Sequence, residues 1–161
     1  MGGIIRLLEI RGKATPLAIL NSMRILALDV GDKRIGLAVC DPAGVVATPL
    51  SVYERRAQAK DIAEMLRIAA QQKAEAFLVG MPVSLDGSLG PQAERTERFR
   101  QALAAASAIH VLVADERFTS VEADRLMQGS GVPRAKQKGM RDAAAAAVFL
   151  QSYLDTKALG A

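Results

Sequence analysis

The sequence predicts an α/β fold, a five-stranded mixed sheet with helices on both faces, and three observations lead to it. Short, nearly continuous apolar runs such as ILALDV (25–30) and AFLVGM (76–81) are typical of strands buried on both faces. The first strand candidates are separated only by the turn sequences GDKR and DPAG, which favour hairpins. Later strand candidates alternate with stretches of helical periodicity, which is the pattern of a parallel sheet.

The elements are predicted in the order βββαβαβαα. An antiparallel meander forms the start, and strand–helix alternation follows it. The predicted strands are 25–30, 35–40, 45–50, 76–81 and 109–114, and the predicted helices are 54–72, 91–106, 119–129 and 141–157. Apolar residues recur at helical spacing in the first helix. The last helix carries an apolar stripe, and the small alanines in it permit close approach to a sheet. That stripe is Ala143, Ala146, Ala147, Leu150 and Leu154.

Composition narrows the class of protein. The chain has 161 residues, of which 50% are hydrophobic and 24% charged, and this balance indicates one globular domain. Its single cysteine, Cys40, excludes an intramolecular disulfide and a cysteine-rich zinc site, and is consistent with the reducing cytoplasm. No stretch reaches the ~18 uncharged apolar residues of a membrane helix. We therefore expect a cytoplasmic protein with no membrane partner.

The first 22 residues differ in character from the rest. Charged side chains interrupt their apolar character, so no secretory signal is expected. A second methionine, Met23, stands directly before the first strand candidate. We expect residues 1–22 to be an N-terminal extension that is not part of the native protein, and the functional domain to span 23–157.

Basic residues are concentrated in two places. The net charge of +4 is modest, but one group of cations lies in a predicted loop that contains no acid. A smaller group, Lys33 and Arg34, lies in the first hairpin turn, and the loop group is Arg134, Lys136, Lys138 and Arg141. Either group can bind the phosphates of a nucleic acid or form an ordinary solvated surface.

Acidic residues follow the ends of three predicted elements. Asp29 ends a buried apolar run, where a carboxylate is costly unless it is compensated. Asp115 and Glu116 follow the fifth strand, and Asp142 opens the last helix. Each has a structural explanation as a turn former, an ion-pair partner of Arg117 or a helix-terminal acid. Carboxylates that converge on one point require a hard cation such as Mg²⁺ or Mn²⁺, and such ions support phosphodiester hydrolysis.

Four sequence blocks carry a specific resemblance. They are LALDVGDKRIGLAV (26–39), FLVGMPVSLDGSLGPQAERTERF (77–99), DERFTSVEA (115–123) and RDAAAAAVFLQSYLD (141–155). In this order and spacing they resemble the YqgF/RuvX family, which has a ribonuclease H-like fold. The resemblance implies a metal-dependent nuclease, a hydrolase that processes the 5′ end of pre-16S ribosomal RNA.

The resemblance also implies roles for individual residues. Asp29, Glu116 and Asp142 would be the catalytic ligands of Mg²⁺ or Mn²⁺. The nucleic-acid contacts would come from Lys33, Arg34, Arg117, Arg134, Lys136, Lys138 and Arg141. Junction resolvases of this fold commonly use four acids, often two on the last helix, whereas here Asp142 is followed by alanines. Asp115 is the candidate for a fourth ligand.

Three other functions stay open at this stage. The runner-up is a resolvase of four-way DNA junctions, for which symmetric cleavage would require a dimer. A non-catalytic RNA-binding factor for ribosome maturation would need no metal. Asp29, Gly31 and Gly36 also resemble the phosphate loop of actin-like ATPases, but those proteins need two such domains. We expect pre-rRNA as the substrate, with branched or single-stranded DNA as the alternative, and a monomer or weak homodimer.

Overall fold

A computed structural model describes residues 23–82, 90–115 and 134–158, with the backbone alone described for 134–138. The strands are β1 (Ile25–Val30), β2 (Arg34–Cys40), β3 (Ala47–Glu54), β4 (Ala76–Met81) and β5 (His110–Asp115). The helices are α1 (Gln58–Gln71), α2 (Pro91–Ala106) and α3 (Arg134–Ala158). The predicted extension 1–22 and the predicted helix 119–129 lie outside the described residues.

The five strands form one mixed sheet in the order β3-β2-β1-β4-β5. β1 pairs antiparallel with β2, which pairs antiparallel with β3, whereas β1, β4 and β5 run parallel. Side chains alternate between two cores, one packed under α3 and the other under α1 and α2. The predicted mixed sheet with helices on both faces is confirmed. Within the described ranges, no helix is long and apolar enough to cross a membrane.

The third strand lies further along the chain than the predicted 45–50. The Asp41 carboxylate accepts hydrogen bonds from the backbone N–H groups of Val45, at 2.7 Å, and Val46, at 3.1 Å. These two valines therefore belong to the turn, although their apolar character predicts a strand. Pro49 is tolerated because β3 is an edge strand, and its pairing with β2 is shifted there. Since β3 continues to Glu54, α1 begins at Gln58 and not at 54.

The last helix begins at Arg134, about two turns earlier than the predicted start at 141. Residues 134–140 form the first turns of α3, so the basic loop predicted at Arg134 to Arg141 is wrong. The segment RAKQKGMR consists largely of strong helix formers. Its one glycine, Gly139, disfavours helix by only about 1 kcal/mol. The cations are therefore carried on a helix that runs directly into Asp142.

The apolar stripe of α3 is buried against the sheet as predicted. The closest approach is at Gly36 of β2, where a Cβ atom would collide with the backbone of Asp142 and lie 2.7 Å from the nitrogen of Ala143. Only glycine fits at this point, because any side chain would push the helix away from the sheet. Further along, the amide of Gln151 bonds the backbone of Val45 and Ala47 at 2.9 Å each. α3 thus contacts the β2–β3 hairpin at two places, at Gly36 and at the turn that contains Val45.

A carboxylate is fully buried where β3 leads into α1. Asp61 is 0% exposed and accepts hydrogen bonds from the Tyr53 hydroxyl at 3.1 Å, Arg55 Nε at 3.0 Å and the Arg56 N–H at 2.8 Å. Burial raises the pKa of Asp61, but these hydrogen bonds outweigh burial and the net pKa is lowered. The folded state therefore favours the ionised carboxylate.

The Gly36→Ala substitution should destabilise the protein by about 1–3 kcal/mol, because the new methyl group overlaps the α3 backbone. Gly139→Ala is the matched control, since a Cβ there meets nothing within 4 Å. The control should leave stability unchanged or raise it by up to about 1 kcal/mol, because alanine favours helix. Urea denaturation measures both, and equal effects of the two substitutions would contradict the close packing at Gly36.

Replacing the buried carboxylate in Asp61→Asn should lower the free energy of unfolding near neutral pH by about 3 kcal/mol, because Arg55 loses its charged partner. Glu64→Gln on the same helix is the control, and it removes a solvent-accessible ion pair to Arg67 whose loss should change stability little. Because folding lowers the pKa of Asp61, the ionised carboxylate contributes its full stabilisation of the fold above the unfolded pKa of about 3.9. This contribution is lost as the pH falls through the lower pKa that Asp61 has in the folded protein.

The difference in stability between wild type and Asp61→Asn should therefore shrink below about pH 4. Other carboxylates with lowered pKa are present in both proteins and cancel in this comparison. A difference that stays constant down to pH 2 would contradict the role of the ionised group.

Candidate metal centre and nucleic-acid interface

Asp29 lies on the α3 side of the sheet, near the carboxyl end of β1. Ile25 and Ala27, which lie four and two positions before Asp29 on β1, belong to the core packed under α3. Because alternate residues of a strand share a face, Asp29 is on this face too. It is half-buried in an otherwise buried strand, and its register partner on β2 is Gly36. Because this partner has no side chain, the backbone of α3 can approach the strand beside Asp29 closely.

Asp142 reaches this place from α3. Its backbone lies directly over Gly36, the residue that pairs with Asp29. Its side chain is 35% exposed, so it remains accessible to solvent. The structure thus brings together two of the three acids predicted as ligands, although 113 positions of sequence separate them.

Arg34 provides positive charge beside these acids. Its Nε donates a hydrogen bond to Oδ2 of Asp142 at 3.1 Å, while its side chain stays 60% exposed. Lys33 precedes it in the β1–β2 turn and is exposed. The sequence marks both as candidates for phosphate contacts, but not the ion pair with Asp142, because the two partners are 108 positions apart.

Asp115, the candidate fourth ligand, is the last residue of β5. Asp115 pairs with Met81 on β4, and strand alternation puts it on the face of Val111, opposite to that of Asp29. The described geometry therefore gives no support to Asp115 as a fourth ligand. Glu116 and Arg117 lie outside the described residues. Among the residues that are described, no group of three metal-ligating side chains is found.

The remaining predicted contacts to nucleic acid lie on the first turns of α3. Arg141 is exposed and directly precedes Asp142. The backbone of Arg134, Lys136 and Lys138 belongs to the same helix, whereas their side chains are not described. These three positions and Asp142 therefore lie along one helix.

Residues that the sequence analysis missed hold the turn next to Asp29. The Gln92 side-chain amide donates to the Val30 carbonyl at 3.1 Å, and Arg95 forms an ion pair with Asp32 at 2.9 Å. Both come from the first turns of α2, which pack beside the end of β1. No short-range pattern marks these residues, because their partners are about 60 positions away.

Comparison with other sequences identifies the family. A sequence model of the RuvX family, described as Holliday junction resolvase, matches residues 23–156. The chain is 42% identical over 130 residues to "Putative pre-16S rRNA nuclease" of Synechococcus elongatus, a match that covers 81% of this chain and 87% of the relative. It is 40% identical over 136 residues to the protein of that name from Thermoanaerobacter pseudethanolicus, covering 84% and 98%.

Solved structures share the fold at low sequence identity. RuvC of T. thermophilus in complex with a Holliday junction substrate has a TM-score of 0.56 at 16% identity, covering 83% of this chain and 96% of that one. The yeast mitochondrial Holliday junction resolvase Ydc2 has a TM-score of 0.53 at 12% identity, covering 85% and 80%. These likenesses confirm the predicted ribonuclease H-like fold. By its sequence, the chain belongs to the RuvX family.

Proposed function

We propose that this protein is a metal-dependent nuclease that hydrolyses phosphodiester bonds in the 5′-end processing of pre-16S rRNA in the cytoplasm. The observation that carries the proposal is the meeting of Asp29 and Asp142 across Gly36 on one face of the sheet. Relatives about 40% identical that are named pre-16S rRNA nucleases supply the substrate class.

The residues at this place fit a hard divalent cation. Asp29 and Asp142 offer carboxylate oxygens, which Mg²⁺ and Mn²⁺ prefer, and both side chains are only half-buried. Glu116 is the proposed third ligand. A bound Mg²⁺ or Mn²⁺ supplies an activated water and stabilises the leaving oxygen.

The chain's own side chains orient the substrate. Arg34 is 60% exposed beside Asp142, so its guanidinium can turn from the carboxylate to a phosphate without leaving the site. Lys33 extends the positive charge along the turn, and Arg141 extends it along α3. Arg117, Arg134, Lys136 and Lys138 are the other proposed contacts to the nucleic-acid strand. These contacts bind the nucleic-acid backbone irrespective of sequence.

The Asp29→Asn substitution should abolish cleavage while RNA binding is retained, because the amide keeps the size of the side chain but removes its charge. The assay uses a labelled RNA with a 16S-like 5′ extension and Mg²⁺, Mn²⁺ or EDTA. Asp155→Asn is the matched control, since Asp155 is an exposed residue near the other end of α3. The control should cleave at the wild-type rate.

A resolvase of four-way DNA junctions is the second candidate, favoured by the description of the family and by the shared fold of junction resolvases. The same assay on a synthetic junction distinguishes it. Paired symmetric nicks in the junction, with the RNA intact, would overturn the rRNA proposal and would require a dimer. RNA binding without cleavage of either substrate would indicate a non-catalytic maturation factor.

A further inference from the structure

The turn that follows Asp29 is held by Gln92 and Arg95 of α2 and, from the end of β3, by Arg55. Within the turn, the Gly31 N–H donates to the Arg34 carbonyl at 2.8 Å. Two further carbonyls of the turn, those of Gly31 and Lys33, accept hydrogen bonds from Arg55. Its guanidinium NH1 donates to the Gly31 carbonyl at 2.9 Å, and its backbone N–H donates to the Lys33 carbonyl at 2.9 Å.

Arg55 is itself fixed on its other side. Its Nε donates to Asp61 at 3.0 Å, and the Asp61 carboxylate is wholly buried and takes further hydrogen bonds from the Tyr53 hydroxyl and the Arg56 N–H. The guanidinium carbon lies 5.2 Å from the centre of the Phe99 ring of α2. Arg55 is only 19% exposed, so these contacts leave it little freedom.

The shape of the guanidinium is essential to this arrangement. One N–H group bonds the buried carboxylate, and a different nitrogen of the same rigid plane bonds the turn. A lysine keeps the charge but ends in a single nitrogen, so it does not reproduce both directed bonds at once. Arg55 thereby links the buried Asp61 to the Gly31 carbonyl, two residues from Asp29.

We propose that Arg55 is a positioning residue for the candidate metal centre: it holds the turn 31–34 so that Asp29 and Arg34 keep their places beside Asp142. Arg55 acts through the turn and has no contact with the acids among the bonds described above. The proposal rests on the proposed nuclease function for its kinetic consequence, but the holding of the turn is measurable without it.

The test compares Arg55→Lys with Arg100→Lys. Arg100 is the matched control because it is a 9% exposed arginine paired with Glu97 on α2, and its pairing does not involve the turn. Hydrogen exchange of the Gly31 N–H is measured against that of the β1–β4 ladder amides, so that global destabilisation is separated from local opening. Cleavage of the 5′-extended RNA gives kcat and KM for each protein.

In Arg55→Lys we expect Gly31 to exchange about tenfold or more faster relative to the ladder amides, and kcat to fall by about 10–100-fold with KM little changed. In Arg100→Lys the relative exchange rate of Gly31 and kcat should both match those of the wild type. Should Arg55→Lys fail to fold, Asp61→Asn replaces it, because loss of the buried charge releases Arg55 and should speed Gly31 exchange in the same way.

Two results would overturn the proposal. One is Gly31 exchange in Arg55→Lys that changes no more than that of the ladder amides. The other is fast Gly31 exchange with an unchanged kcat, which would restrict Arg55 to a structural role. Wild-type protein that cuts no substrate would instead overturn the proposed function, and the exchange comparison would still decide whether Arg55 holds the turn.

Discussion

The arrangement depends on the direct contact between the backbone of α3 and Gly36 of β2. A helix approaches a sheet this closely only where the facing side chains are absent or very small. Gly36 and the alanines of α3 meet that requirement on the two sides of the contact. Because Gly36 is also the cross-strand partner of Asp29, the same contact determines where Asp142 lies relative to Asp29. Packing and the candidate site therefore have one common origin.

Electrostatics follows from that placement. Two carboxylates on one face repel each other, and the guanidinium of Arg34 offsets part of that repulsion through its bond to Asp142. A nucleic acid carries negative charge toward the same acids, so approach requires cations nearby. In the proposed function, Lys33 and Arg34 next to β1 and Arg141 on α3 meet this need. Arg34 thus binds the Asp142 carboxylate and is a proposed contact to a phosphate of the substrate.

The turn after β1 is the point at which distant parts of the chain support the site. α2 contributes Gln92 and Arg95 to it, and the β3–α1 junction contributes Arg55 with its buried partner Asp61. A buried ion pair is weak evidence of net stabilisation, because desolvation opposes the attraction. The geometric order that it imposes on Gly31 gives a physical reason for its presence in this fold.

The alternation of buried strands and helices can be predicted from the sequence, because apolar periodicity is a local property of the chain. β1, β4 and α2 accordingly have the predicted bounds, and Asp29 and Asp142 are identified as candidates by their positions at element ends. The start of α3 was missed, since clustered cations were interpreted as a loop and not as helix-forming residues. The pairing of Arg34 with Asp142 and of Arg55 with the turn becomes visible in the folded chain alone, because those contacts join residues whose separation in sequence carries no periodic signal.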